Sequence, residues 1–284
     1  MSHRVTLTIL LGTILTLLLA TGAATMQQTG RRSGTVRVLS TTGRGAAQRN
    51  QEQSERQIPV ADYNTAEPTD PALLTLRRIR SRRYDIHDPN LKAEDVSKLV
   101  LKESSAPVNL GGPWSHEVSE PATPVAQSDA VLIGEIASAH AYLSNDKTSI
   151  YSEFTVSVSE VLKDTSGTIL IGSRVTMERS GGALRFPSGK ILIRGLLGKP
   201  LPKLTRRYAF FLKRNQEGED FSLITAYELR GGKVFPLDGL SPKGEVIEPY
   251  AAYQQYRNED ESNFLAKLWS LVQSPNGVPE RRLE

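Results

Sequence analysis

Residues 149–163, SIYSEFTVSVSEVLK, constrain this chain more than any other stretch. Read at alternate positions, Ile150, Phe154, Val156, Val158 and Leu162 share one face, with Ser152 and Glu160 as exceptions. Tyr151, Glu153, Thr155, Ser157 and Ser159 share the other. A period of two with β-branched residues predicts a strand buried on one side. Upstream, SDAVLIGEIASAHAYL (128–143) is a second extended run, and Asn145-Asp146-Lys147 is a turn cluster between the two. That arrangement predicts a β-hairpin.

The same pattern continues downstream. SRVTMER (173–179) is a third candidate strand, and ALRFPSGKILIRG (183–195) holds a fourth with Pro187-Ser188-Gly189 as a turn or kink inside it. RRYAFFLKR (206–214) is a fifth and residues 221–229 a sixth. Gly231-Gly232 then separates YELR from KVFPL, a strong short-range hairpin signal. Six or seven strands without helical periodicity predict a mainly β fold, a small antiparallel barrel spanning 128–258. The period changes over residues 258–273, where Phe264, Leu265, Leu268, Leu271 and Val272 fall on one helix face. Glu259, Asp260 and Glu261 stand where the helix dipole favours negative charge. A C-terminal helix over 259–273, packed across a barrel end, and a polar tail over 274–284 complete the expected layout.

The first half reads differently. Residues 1–24 combine Arg4, an uncharged apolar run from Val5 and the small residues Ala20 to Ala24. This is the pattern of a secretory signal peptide, and an uncleaved membrane anchor is the alternative. Either way the chain is expected to be exported, to the periplasm, the cell surface or the medium, with membrane contact only through this segment if it is retained. Residues 25–127 form an arm poor in large apolar groups, expected to be largely disordered. The overall hydrophobic fraction of 38% is low for a wholly packed chain.

One element interrupts the arm. Asp70 can cap a helix that begins at Pro71 and runs to about residue 83. Leu73, Leu76 and Ile79 make a stripe on it, with Arg77, Arg78, Arg80, Arg82 and Arg83 on the remaining surface. Two uses are open: contact with anionic lipid or another polyanion through the arginines, or a helix laid by its leucines against the domain or a partner. The second is favoured, because the stripe spans only about three turns.

AVLIGEI, YSEFTVSVSEVLK, the glycine pair and RRYAFFLKR with its following hairpin resemble a group of uncharacterised exported bacterial proteins. Their small β-barrel is similar to the OB-like fold of netrin modules and tissue inhibitors of metalloproteinases. The resemblance covers residues 128–273 and implies an OB-like barrel. It does not bring the inhibitors' mechanism, which needs an N-terminal cysteine, because this sequence contains no cysteine.

The absence of cysteine excludes disulfides, thiolate metal sites and a cysteine nucleophile. The four histidines, at 3, 87, 116 and 140, show no metal-ligand spacing, and His140 is expected at the surface. No nucleophile elbow, phosphate loop or zincin motif occurs, so neither a catalytic set nor a cofactor is assigned. Net charge is +1 in the leader, +2 over 25–125 and +1 over 126–284. No nucleic-acid partner is expected of a folded part so nearly neutral.

Glu135, Glu153 and Glu178 come from three strands and could converge as an acid–base pair, although a solvated sheet face is the favoured reading. The aromatic residues Tyr208, Phe210, Phe211, Phe221, Tyr227 and Phe235 invite a stacking role, but parity puts Tyr208 and Phe210 on the same face, which favours the core. The sequence therefore supports an exported, non-catalytic interaction module with a protein or glycan partner. The alternatives are an OB-like domain binding a glycan or polyanion, with Arg77, Arg78, Arg80, Tyr208 and Tyr227 as candidate contacts, and, least favoured, a carboxylate-dependent hydrolase.

Overall fold

A computed structural model describes residues 58–87, 90–105, 109–110, 121–248 and 250–274. The expected signal peptide or anchor, residues 25–57 of the arm and most of the polar tail lie outside the described residues. The fold is mainly β, as the periodicity predicts. Among the described residues no helix is long and apolar enough to cross a membrane.

In chain order the elements are β1 (Val60–Asp62), α1 (Pro71–Arg82), α2 (Ala93–Leu99), β2 (Asn109–Leu110), β3 (Ala130–Leu143), β4 (Ile150–Asp164) and β5 (Arg174–Ser180). There follow β6 (Gly182–Arg185), β7 (Ile191–Leu196), β8 (Arg207–Arg214), β9 (Phe221–Arg230), β10 (Lys233–Pro236), a 3-10 turn (Ala251–Tyr256) and α3 (Glu261–Gln273).

The hairpin expected around residue 146 is present: β3 pairs antiparallel with β4 from Ala130↔Asp164 to Leu143↔Ile150. Asp146 organises its tip, where Oδ1 accepts from Ser144 Oγ (2.6 Å), Thr148 N (3.0 Å) and Thr148 Oγ1 (2.7 Å). Three register shifts bend β3, as bulges do when a strand must curve. At Gly134 the strands approach so closely that a Cβ would stand 2.6 Å from Ser157 O and from Val156 Cγ1.

Further pairings, β4 with β5, β8 with β9 and β8 with β3, are antiparallel. The circuit β3–β4–β5–β9–β8 then returns on itself through a parallel seam between β5 and β9 of two residue pairs, Met177↔Phe221 and Glu178↔Ser222. Five strands make this circuit, and β10 on the edge of β9 brings the sheet to six, within the expected number. The proline–glycine turn at 187–189 splits the fourth candidate strand into the hairpin β6–β7, which joins β1 and β2 in a separate four-stranded sheet. After a turn in which Gly231 and Gly232 both take left-handed backbone angles, β10 pairs along the outer part of β9.

Inside the circuit Leu132, Ile136, Phe154, Val156, Met177, Tyr208, Phe210 and Phe221 form one core. A second core lies on the outer face of β3, β8 and β9, where Ile133, Phe211, Tyr227 and Val234 meet Tyr253, Phe264 and Leu268. The terminal helix thus covers a sheet face rather than a barrel end. It is capped by Asp260, whose Oδ1 accepts from Ser262 N at 3.0 Å. A third, smaller core joins Ala61 and Leu101 of the arm to Ala141, Ile150, Leu184, Phe186 and Leu192. Residues 58–105 of the arm, where described, therefore belong to the folded body, because they supply apolar and ionic groups that cover surfaces of the sheets.

Candidate functional site

The capped, arginine-rich helix exists as its sequence predicts. Asp70 Oδ1 accepts from Ala72 N at 2.8 Å and Pro71 occupies the first turn. Its docking contacts are made by arginines rather than by the leucine stripe, in which Leu76 and Ile79 are only partly buried. Leu73 is 56% exposed, whereas Arg77, Arg80 and Arg83, successive residues three apart and so stacked along one side, turn toward β4 and β5. Opposite them, Glu153 and Glu178 are direct cross-strand partners on the outward face, and Asp220 ends the loop before β9. The arginines carry the docking because this stretch of sheet offers carboxylates to the helix.

Arg77 donates through Nη1 to Glu153 Oε1 (2.8 Å) and to Tyr151 OH (3.3 Å). Its guanidinium carbon lies 3.1 Å from the centre of the Tyr142 ring, a cation–π contact. Arg80 donates to Glu153 Oε2 at 3.0 Å, and its Nε lies 3.3 Å from Asp220 Oδ2. Arg83, just past the helix, donates to Glu178 Oε1 at 2.5 Å and Asp220 Oδ2 at 2.6 Å, and also to the Glu217 carbonyl. Asn215 Nδ2 donates to both Glu178 Oε1 (2.9 Å) and Asp220 Oδ2 (3.2 Å), and Ser222 Oγ donates to Asn215 Oδ1 (2.7 Å). Around this ionic layer, Ser81 Oγ and Tyr151 OH are 2.9 Å apart and the Tyr84 ring stacks on Tyr151 at 4.5 Å. The hairpin tip joins in: Asn145 Nδ2 donates to Arg78 O at 3.0 Å, and Asp146 Oδ2 accepts from Ile86 N at 2.8 Å.

Three guanidiniums thus meet three carboxylates with little water. Glu178 is 1% exposed and Asp220 0%, so screening is weak. Burial pushes the Glu178 carboxyl up to about 7, reinforced by the charges of Asp220 and Glu153 and opposed by Arg83. Its Oε2 is buried without a hydrogen-bond partner among the described residues, as suits a carboxyl that can hold a proton. Burial also works to raise Asp220, but hydrogen bonds and charge from Arg83, with Arg80 beyond it, outweigh that and hold it below the usual carboxylate range. Arg77, despite its burial, is raised by Glu153.

Of the candidate contacts, Arg77 and Arg80 come together here. Arg78 does not: it points outward to Glu67 at 3.0 Å, both side chains largely exposed. Tyr208 and Tyr227 are not available as contacts, being 1% and 0% exposed in the inner and outer cores, so the core reading of Tyr208 holds and the contact reading of both does not. Strands β3, β8 and β9 are covered on both sides here, so neither parity leaves an aromatic in water. Tyr208 OH accepts from Lys203 N at 2.9 Å, and Tyr227 OH donates to the Ala122 carbonyl. The convergence of Glu153 and Glu178 is real, but not on a solvated face, and Glu135 stays exposed on β3 away from them. His140 is exposed, as expected.

Sequence reasoning did not single out Asp220, Asn215, Tyr151 or Ser81. Only Tyr151 carried a signal, an aromatic on the polar parity of the organising strand. Among the described residues no group of His, Asp or Glu has the arrangement to hold a metal ion. What the arrangement does chemically is hold guanidinium groups in place: an acidic sheet face closed by a basic helix of the same chain. No protein-family model matches the chain, and no characterised protein matches it either.

Proposed function

We propose that the chain is an exported interaction module of OB-like build, whose acidic sheet face recognises arginine-bearing helical segments. In its resting form α1 of the same chain fills that face. The observation that carries this reading is the engagement of Arg77, Arg80 and Arg83 by Glu153, Glu178 and Asp220 on one side of the strand circuit. The position is meaningful. OB barrels take ligands on the face of their second and third strands, between the loop joining strands one and two and the loop joining four and five. Counted round this circuit, those are β4 and β5 with loops 144–149 and 215–220, the elements that hold α1. The glycan or polyanion reading needs free arginines and exposed aromatics. Arg77 and Arg80 are ion-paired and Tyr208 and Tyr227 are buried, so the acidic face is the better supported recognition surface.

The test uses the full chain carrying R77A, R80A and R83A together, and a labelled peptide of residues 69–87. The peptide is expected to bind the triple variant, to be excluded from the wild type, and to lose binding when D220N is added. A folded triple variant that ignores the peptide overturns the proposal. Should that variant not fold, a cleavable sequence introduced at residues 103–105 and cut after folding permits the same exchange measurement on an otherwise native chain.

A further inference from the structure

A second site lies away from α1. Between β7, the loop that follows it and the segment after β10 is a cavity of about 530 Å³, within the range of small-molecule sites. Ile193, Leu196, Leu197, Leu201, Leu237 and Leu240 supply most of its wall. Ile193 is 37% exposed, so the wall is open to solvent on one side. Among the described residues, the charged ones lining it are Arg194, Lys199 and Lys203, with no carboxylate beside them in the wall.

Arg194 is the informative one. Its Nε is buried with no hydrogen-bond partner, and among the described residues no ion pair to it is seen. Burial alone acts on its guanidinium and lowers its pKa, with no neighbouring charge opposing. The contrast with Arg179 is direct. Arg179 is buried throughout, and its Nη2 donates to Asp238 Oδ2 at 2.6 Å and its Nη1 to Pro200 O at 2.8 Å, whereas half-buried Arg194 has its Nε buried and unpartnered. A guanidinium nitrogen withdrawn from water without a partner is costly, and an acceptor delivered from outside would remove that cost.

We infer that this cavity binds a single-chain amphiphile with an anionic head, its alkyl chain against the leucine wall and its carboxylate on Arg194. Charge and shape both select this class. The apolar wall gains affinity with each buried methylene, about fourfold apiece on the usual transfer value. The lone guanidinium matches a carboxylate by charge-assisted hydrogen bonds, and Lys203 at the exposed rim adds to the attraction for an anion.

The experiment titrates the full chain with sodium decanoate, sodium dodecanoate, dodecanol and dodecyl phosphate below their micellar concentrations, reading displacement of a fluorescent undecanoate. One saturable site is expected, with dodecanoate at least tenfold tighter than dodecanol and, having two more methylenes, about fifteenfold tighter than decanoate. R194M should lose the carboxylate advantage while keeping dodecanol binding, and L240W, which fills the cavity, should weaken both. Equal affinity for dodecanoate and dodecanol, multiple unsaturable sites, or an R194M profile like the wild type overturns the inference. Tighter binding of dodecyl phosphate than of dodecanoate overturns the choice of a carboxylate head. If L240W fails to fold, chemical shift changes at the Gly195 and Gly198 amides on adding dodecanoate replace it, and their absence counts against the site.

Discussion

Replacing Arg83 by methionine keeps much of its length while removing the cation that Glu178 and Asp220 share at 2.5 and 2.6 Å. Breaking a buried ion pair from one side costs about 3–5 kcal/mol, because the remaining charge stays in the interior unpaired. Arg83 is one-fifth exposed, so the lower figure applies, about 3 kcal/mol at pH 8. The loss depends on pH, and the sign follows from Glu178. Its folded-state pKa, about 7, stands above the ordinary carboxyl value. The native state therefore binds a proton more readily than the unfolded chain, and this stability is present at acid pH and lost as pH rises through 7. At pH 8 Glu178 is ionised by about ten to one, and at pH 5.5 it is almost wholly neutral. Without Arg83 its pKa climbs further, and each pH unit above the native value then adds up to about 1.4 kcal/mol of destabilisation. At pH 5.5 only Asp220 remains charged, with Arg80 and Asn215 still beside it, and the loss should shrink to about 1–2 kcal/mol. Urea unfolding at the two pH values measures the difference, and hydrogen exchange over residues 71–82 separates release of α1 from global unfolding. Adding E178Q to R83M should bring the pH 8 loss down to its pH 5.5 level. A loss under about 1 kcal/mol, equal at both pH values, would place these groups with ordinary solvent-screened surface pairs and refute the reasoning.

Two substitutions test the framework around the site. G134A forces a methyl to within 2.6 Å of the Ser157 carbonyl and the Val156 side chain and should cost about 1–3 kcal/mol by thermal unfolding, while G195A, with open space at its Cβ, should be near neutral. L268A empties a fully buried position under α3 and should cost about 2–5 kcal/mol. W269A, one residue along and 40% exposed, should change urea stability by less than about 0.5 kcal/mol.

Most strands can be read from alternation, and their ends fall close to the expected residues. The organising strand runs Ile150–Asp164 against an expectation of 149–163, and the Gly231-Gly232 turn stands where the glycine pair placed it. Periodicity works there because one strand face meets the core. It places Tyr208 and Phe210 in the core, but fails where the opposite face is covered too, as on β9, so Tyr227 could not be told from an exposed aromatic. The helix at 71–82 is equally legible from Asp70 and Pro71, but its partner is not. An apolar stripe suggests an apolar contact, whereas Glu153 and Glu178 lie buried only because a segment about seventy to a hundred residues earlier in the chain covers them. Asp220 belongs to a turn, RNQEGED, whose sequence looks like any solvated loop. Pairing across such distances leaves no local trace in the residues that take part.

The parallel seam between β5 and β9 is the shortest junction in the circuit, and Arg83 ties its two sides together through Glu178 and Asp220. Those partners lie 95 and 137 residues further along the chain. A ribosome therefore releases the basic helix long before the acidic groups that receive it exist, and the newborn polypeptide carries an unsheathed cationic segment until β9 emerges. Closure of the last gap is thus deferred to the end of synthesis, where long-range contacts make folding slow and where a neighbouring nascent chain could offer its own helix instead.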